Sequence, residues 1–134
     1  MAQDILDALG NADGELSVVL TDDAEIHRLN RQYLDRDKST NVIAFPMREG
    51  RYGMVTPTLL GDVVISLDTT CREAEAATQP MEIRLRELMI HGILHLFGYD
   101  HERSKNEEKR MIQKSDQLMT LLAANGYSAL IANP

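Results

Sequence analysis

Residues 81 to 101 read MEIRLRELMIHGILHLFGYDH, and the fold turns on how this run is read. Pro80 stands just before it, where the fixed φ of proline suits helix entry. From Met81 to Phe97 apolar residues fall on most sides of a 3.6-residue period, the pattern of a helix enclosed by its own domain. Gly98, free of a Cβ, can take the left-handed conformation that ends such a helix. The same run holds three of the chain's four histidines, in HGILHLFGYDH, residues 91 to 101. His91 and His95 are four apart, so they project from one helical face about 6 Å apart along the axis. A turn at Gly98 lets His101 swing back toward the same point. Three neutral imidazoles with no thiolate suit zinc best, with nickel, copper or iron as alternatives, and leave a fourth position open for water. The spacing is that of the HExxHxxGxxH zinc signature, but Gly92 stands where a zinc protease carries glutamate. That glutamate moves the proton from bound water to the leaving amine, which glycine cannot do, so a zincin-like metalloprotease is the least favoured reading.

Around this helix the chain reads as helix (residues 2 to 9, ending at Gly10), strand (ELSVVLT), then a helix opened by the acidic pattern Asp22 and Glu25. Ile26, Leu29, Tyr33 and Leu34 share one face of that helix, which ends near Asp35. TNVIAFP and LLGDVVISLD read as strands, with RYGMVT between them as a possible edge strand. Asp68 is the expected cap of a helix running through Gln79. A final helix opens with Ser104 and Glu107, a capping box, and closes at Asn125-Gly126. Its stripe Met111, Leu118 and Leu122 is expected in the core. The order αβαβ(β)βααα predicts an α+β fold, an α/β sandwich: a small mixed sheet of three to four strands packed with about five helices, the central helix carrying the metal ligands.

Length and composition set outer bounds. One domain over residues 1–134 is expected, long enough to bury a core without staples. Hydrophobic residues make up 43% and charged residues 26%, with no repeat or low-complexity tract. The net charge of −7 argues against coating nucleic acid by bulk electrostatics, while leaving room for a local basic groove. No apolar run approaches the roughly 18 residues of a membrane span and no signal peptide opens the chain, so a cytoplasmic location is expected. Cys71, the single cysteine, reads as a plain helix residue.

HGILHLFGYDH closely resembles the HGxLHLxGYDH signature of the YbeY family of bacterial single-strand endoribonucleases. LNRQYLDRDKSTNVIAFP (residues 29 to 46) and LLGDVVIS (residues 59 to 66) match further motifs of that family in the same order, so the resemblance runs from about Leu29 to Tyr127. It implies a single α/β domain whose histidines bind one zinc-like ion (Zn2+). It also implies a metal-dependent endoribonuclease acting in maturation of the small-subunit rRNA 3′ end and in ribosome quality control. The implied partners are single-stranded RNA or rRNA and the small ribosomal subunit or its assembly proteins, with no DNA and no membrane. One position departs from the pattern: the arginine that usually follows the tyrosine of the LN..Y motif is Leu34 here.

The candidate metal ligands are therefore His91, His95 and His101, and the candidate catalytic residues are Arg36 and His91. Arg36 is the nearest replacement for the charge missing at Leu34, because a guanidinium grips phosphate bidentately and leucine cannot. Arg28, Arg31 and Lys38 are further cations of the same segment, and each alone reads as a solvated side chain. Leu34 could equally pack in the core against Ile26. Asp100 reads as a turn cap or as a partner orienting a histidine. Glu87 reads as a surface carboxylate, with a role beside His91 as the sharper option. Thr40 and Asn41 either contact phosphate or start a strand, and His27 lacks a spaced partner and stays outside the site. The alternative from another class is a ribosome-assembly or RNA-binding factor whose zinc is structural.

Overall fold

The computed structural model describes residues 1–47, 59–99 and 104–125. Within them the chain runs α1 (Ala2–Ala8), β1 (Glu15–Thr21), α2 (Asp23–Leu34), β2 (Val42–Pro46), β3 (Leu59–Ser66), α3 (Leu67–Ala76), α4 (Met81–Leu96) and α5 (Lys105–Ala124). The sheet order is β1-β3-β2, with β1 parallel and β2 antiparallel to β3. The predicted mixed sheet and five helices are therefore present, in an α+β arrangement. The proposed edge strand RYGMVT lies outside the described residues.

β3 is the centre of the sheet and is buried on both faces. Val63 and Ile65 point into the main core with α1, α4 and α5, while Val64 packs with Ile26 and Ile43 under α2. Leu60 joins the Val63 side despite its opposite parity. The reason is a bulge: Glu15 pairs with Leu59 but Leu16 pairs with Gly61, leaving Leu60 as an extra residue that shifts the alternation by one. Gly61 makes this possible. Its φ is +141°, and a Cβ there would lie 2.1 Å from the carbonyl oxygen of Phe45 on the paired strand.

α4 packs on β2 and β3 and is flanked by α1, α3 and α5. Leu88, Ile90, Ile93 and Leu94 are each at most 3% exposed, which accounts for the apolar pattern on most sides of the sequence run. Burying a side chain of this size contributes about 1.5–3 kcal/mol, so α4 is where the main core is assembled. Met111, Leu118 and Leu122 of α5 are buried against it, as expected. Ser104 caps α5 by accepting the Glu107 N–H at 3.1 Å.

The junction of β3 and α3 differs from the expected one. Ser66, not Asp68, is the cap of α3, its hydroxyl accepting the Thr69 N–H at 3.2 Å. The strand turns directly into the helix at Ser66, two residues before Asp68, whose carboxylate instead accepts the Asp23 N–H at 3.0 Å. Asp23 ties α2 to this junction. Its carboxylate accepts the hydroxyls of Ser66 and Thr69, each at 2.6 Å, and pairs with Arg72 at 2.8 Å. Those two hydroxyls, with Arg72 assisting, hold its pKa down to about 2. The first turn of α2 is thereby fixed to the end of β3, on the side of the sheet opposite α4. Among the described residues no helix is long and apolar enough to cross a membrane.

Candidate functional site

Gly92, the glycine standing where a zinc protease has glutamate, is explained by packing. It is buried on the face of α4 that presses on the sheet, and a Cβ there would meet Val63 Cγ1 at 2.6 Å and Val42 Cγ2 at 3.2 Å. Both neighbours are stiff, branched side chains. Close approach of helix and sheet needs a residue without a side chain at this point. Gly92→Ala is therefore expected to lower stability by about 1–3 kcal/mol through overpacking, and Gly92→Glu to fail to reach the native fold. Urea unfolding of the alanine variant checks the first expectation. An unchanged midpoint would mean that α4 can lift off the sheet freely.

Because Gly92 lets α4 sit this close, the neighbouring residues on that helix reach the open space at the edge of β2. His91 and His95 are half-buried, with ring centroids 4.6 Å apart at an interplanar angle of 75°. Their Nε2 atoms are 3.0 Å from each other. Two nitrogens each about 2.0–2.1 Å from one tetrahedral ion stand about 3.3 Å apart, so the pair has the spacing of two ligands facing a common point. The third candidate, His101, lies outside the described residues, as does Asp100. Among the described residues no group of three metal-binding side chains gathers. Gly98, with φ of +92°, makes the left-handed turn that the sequence required after α4.

The two histidines open onto a cleft of about 640 Å3. Arg36, Lys38, Thr40 and Asn41 form part of its wall, and among the described residues no carboxylate lines it. α2 holds this wall in place. Asp35 ends the helix in the left-handed conformation (φ 55°, ψ 37°), and the Arg36 N–H reaches back to the Asn30 carbonyl at 3.2 Å. Asn30 is itself buried, and its side-chain amide donates to the Lys38 carbonyl at 2.9 Å. His27 adds a third tie at 2.8 Å to Asp37, and this contact lowers the Asp37 pKa. His27 is thus a prop for the basic loop and not a member of the site. Its partner is ten residues away in an irregular segment, where helical spacing gives no signal.

The cluster of cations divides. Arg36 and Lys38 line the cleft, whereas Arg28 is paired with Glu25 and bonded to Gln32, and neither it nor Arg31 is among the lining residues. Leu34 also lines the cleft and is 43% exposed, which overturns the option that it packs in the core against Ile26. Ile26 is covered instead by Ile43, Val64, Leu29 and Phe45. Glu87 is half-buried and engaged, accepting from Arg84 and Gln79, each at 3.2 Å.

Asn41 carries more than its position before β2 suggested. Its backbone carbonyl accepts the Ser66 N–H at 2.9 Å, and its side-chain amide donates to both oxygens of Glu73 at 3.2 and 3.3 Å. Arg84 of α4 donates to the same Glu73 at 3.0 Å. The amide nitrogen is thereby committed to Glu73, leaving the side-chain carbonyl oxygen of Asn41 without a donor among the described residues.

The sequence model of the family described as Endoribonuclease YbeY matches residues 1–123. The chain is 50% identical over 127 residues to the protein named Endoribonuclease YbeY of Geobacter metallireducens, covering 94% of this chain and 85% of that one. It is 44% identical over 118 residues to the protein of the same name in Aquifex aeolicus, covering 88% of this chain and 77% of that one. The solution structure of a protein from Thermotoga maritima is similar to it with a TM-score of 0.62 and 26% identity, covering 95% of this chain and 85% of that one.

Proposed function

The chain belongs to the YbeY endoribonuclease family, and on that premise we propose that it cuts single-stranded RNA at the cleft between α4 and the loop after α2, in maturation of the small-subunit rRNA 3′ end and in ribosome quality control. The observation that carries the reading is the pair of Nε2 atoms 3.0 Å apart in a cleft that Arg36 and Lys38 also line. His91, His95 and His101 would hold the ion, with zinc favoured by an all-imidazole donor set. A bound ion supplies Lewis acidity toward a phosphoryl oxygen.

The remaining work falls to the chain's own groups. Arg36 presents a planar fork of donors to the phosphate, and Lys38 adds a point charge, so the backbone is gripped in the cleft that the histidines also line. Asn41 offers an acceptor to a ribose hydroxyl, held in orientation by Glu73. Among the described residues the fixed charges lining the cleft are both cationic, Arg36 and Lys38, and on a chain of net charge −7 they concentrate attraction for phosphate here. An open cleft of this size suits a reaction site better than the closed, four-ligand shell of a structural zinc.

The test pairs metal analysis with cleavage. Purified protein should carry about one divalent ion and cut a single-stranded RNA, and chelator should abolish the cutting, with zinc restoring it. Cleavage that persists in a chelator-stripped, metal-free protein would remove the ion from the mechanism. The ribosomal role is tested separately by depletion in cells, where precursor small-subunit rRNA with an unprocessed 3′ end should accumulate.

A further inference from the structure

On the other side of His91 lies a second cavity, of about 250 Å3. It meets the first at Asn41 and His91, which line both. We propose that this second cavity is a nucleobase subsite that takes guanine, from a nucleotide next to the phosphate held in the first cleft. The proposal rests on the endoribonuclease reading and deepens it by naming a base.

The charges of the two cavities assign their occupants. The first is lined by Arg36 and Lys38 and, among the described residues, by no carboxylate. The second is lined, among the described residues, by Glu87 and Asp116 against one lysine or arginine, Arg84, which is already paired with Glu73 at 3.0 Å and with Glu87 at 3.2 Å. A phosphate is drawn to the first and repelled by the second. An uncharged base that donates hydrogen bonds suits the second, and its volume holds one base. Met119, half-buried at the cavity, supplies apolar surface for the ring, and its thioether can contact an aromatic edge.

The free acceptor in this cavity selects among bases. Glu87 is occupied by Arg84 and Gln79. The carboxylate of Asp116, on the exposed face of α5, has no hydrogen bond or ion pair among the described residues, and neither does the hydroxyl of Ser115 beside it. A carboxylate has two acceptor oxygens and matches two adjacent N–H donors. Guanine alone presents such a pair, at N1 and N2. Adenine and cytosine place a ring acceptor next to their amino group, and uracil flanks its N–H with carbonyls that a carboxylate repels. Ser115 can serve either as donor or as acceptor to the remaining ring edge.

Cleavage sites mapped on single-stranded RNA of random sequence should show guanine enriched at one position beside the cut. In defined substrates, guanine there should give kcat/KM about tenfold or more above adenine, with inosine, which lacks the N2 amino group, falling between them. Asp116→Asn, which turns one acceptor into a donor, should bring the guanine substrate down to the level of the adenine one. Gln117→Ala, at the neighbouring exposed position, should keep the preference. Equal rates for guanine and adenine in the unaltered protein, or a preference that survives Asp116→Asn, would overturn the proposal. A nucleoside titration reads the cavity apart from catalysis: guanosine, but not adenosine, should give saturable NMR shifts at Ser115, Asp116 and Met119, lost in Asp116→Asn. If RNA is not cut at all the endoribonuclease reading fails, and absence of those guanosine shifts refutes the subsite on its own account.

Discussion

His95→Ala should lose its metal and at least about 100-fold of its RNA cleavage while keeping the fold. His95 projects from α4 into the cleft, away from the core residues Leu88, Ile93 and Leu94, and its Nε2 lies 3.0 Å from that of His91. Removing a group that only orients a ligand typically weakens metal binding about 10-fold to 100-fold, so removing a ligand itself should exceed that. Because metal binding to the native state also stabilises it, the proper thermal comparison is between the variant and chelator-treated unaltered protein. Those two should melt together. His91→Ala should behave alike in metal content, since its Nε2 is the other member of the pair. A His95→Ala protein that holds one ion per chain and cuts RNA at the original rate would take the metal site off α4.

The parts of the fold that could be read from the sequence were those governed by local chemistry. α4 is apolar on most sides, follows Pro80 and ends before a glycine with positive φ, and each of these signals acts within one or two turns. The capping residues Asp22 and Ser104 are of the same kind. What could not be read depends on distance between elements. The bulge at Leu60 leaves no mark in LLGDVVIS, because alternation cannot reveal a shift of register until the partner strand is known. Ser66 and Asp68 are both good helix caps, and only the direct strand-to-helix turn chooses between them. Gly92 looked like a missing catalytic residue until the 2.6 Å approach to Val63 showed that the helix leaves no room for a side chain. Asn30 carries no helical-period signal for burial, yet it is buried and its side chain fixes the loop that carries Arg36 and Lys38.

Leu34 stands where the family resemblance leads one to expect an arginine, and its surroundings define the outcome of placing that charge there. Being 43% exposed on the cleft wall, it leaves space for a longer side chain that ends in solvent, so Leu34→Arg buries no charge and should melt close to the unaltered protein. A guanidinium there would line the same cleft as Arg36 and the histidines, and should raise RNA cleavage. Arg36→Ala should lower it, and removing one preorganised electrostatic contact from an active site costs about 100-fold to 1000-fold in rate. The loss should fall toward the lower end, because Lys38 lines the same cleft and retains part of the attraction for phosphate. Combining the two changes separates their roles: Leu34→Arg should rescue most of the activity lost in Arg36→Ala if the two positions serve the same phosphate. Single-turnover cleavage of one RNA by all four proteins, at two salt concentrations, provides the measurement, since a contact to phosphate made at the rim weakens with salt. A Leu34→Arg protein that melts normally yet cuts no faster, alone or with Arg36→Ala, would mean that charge on this wall does not reach the reacting phosphate.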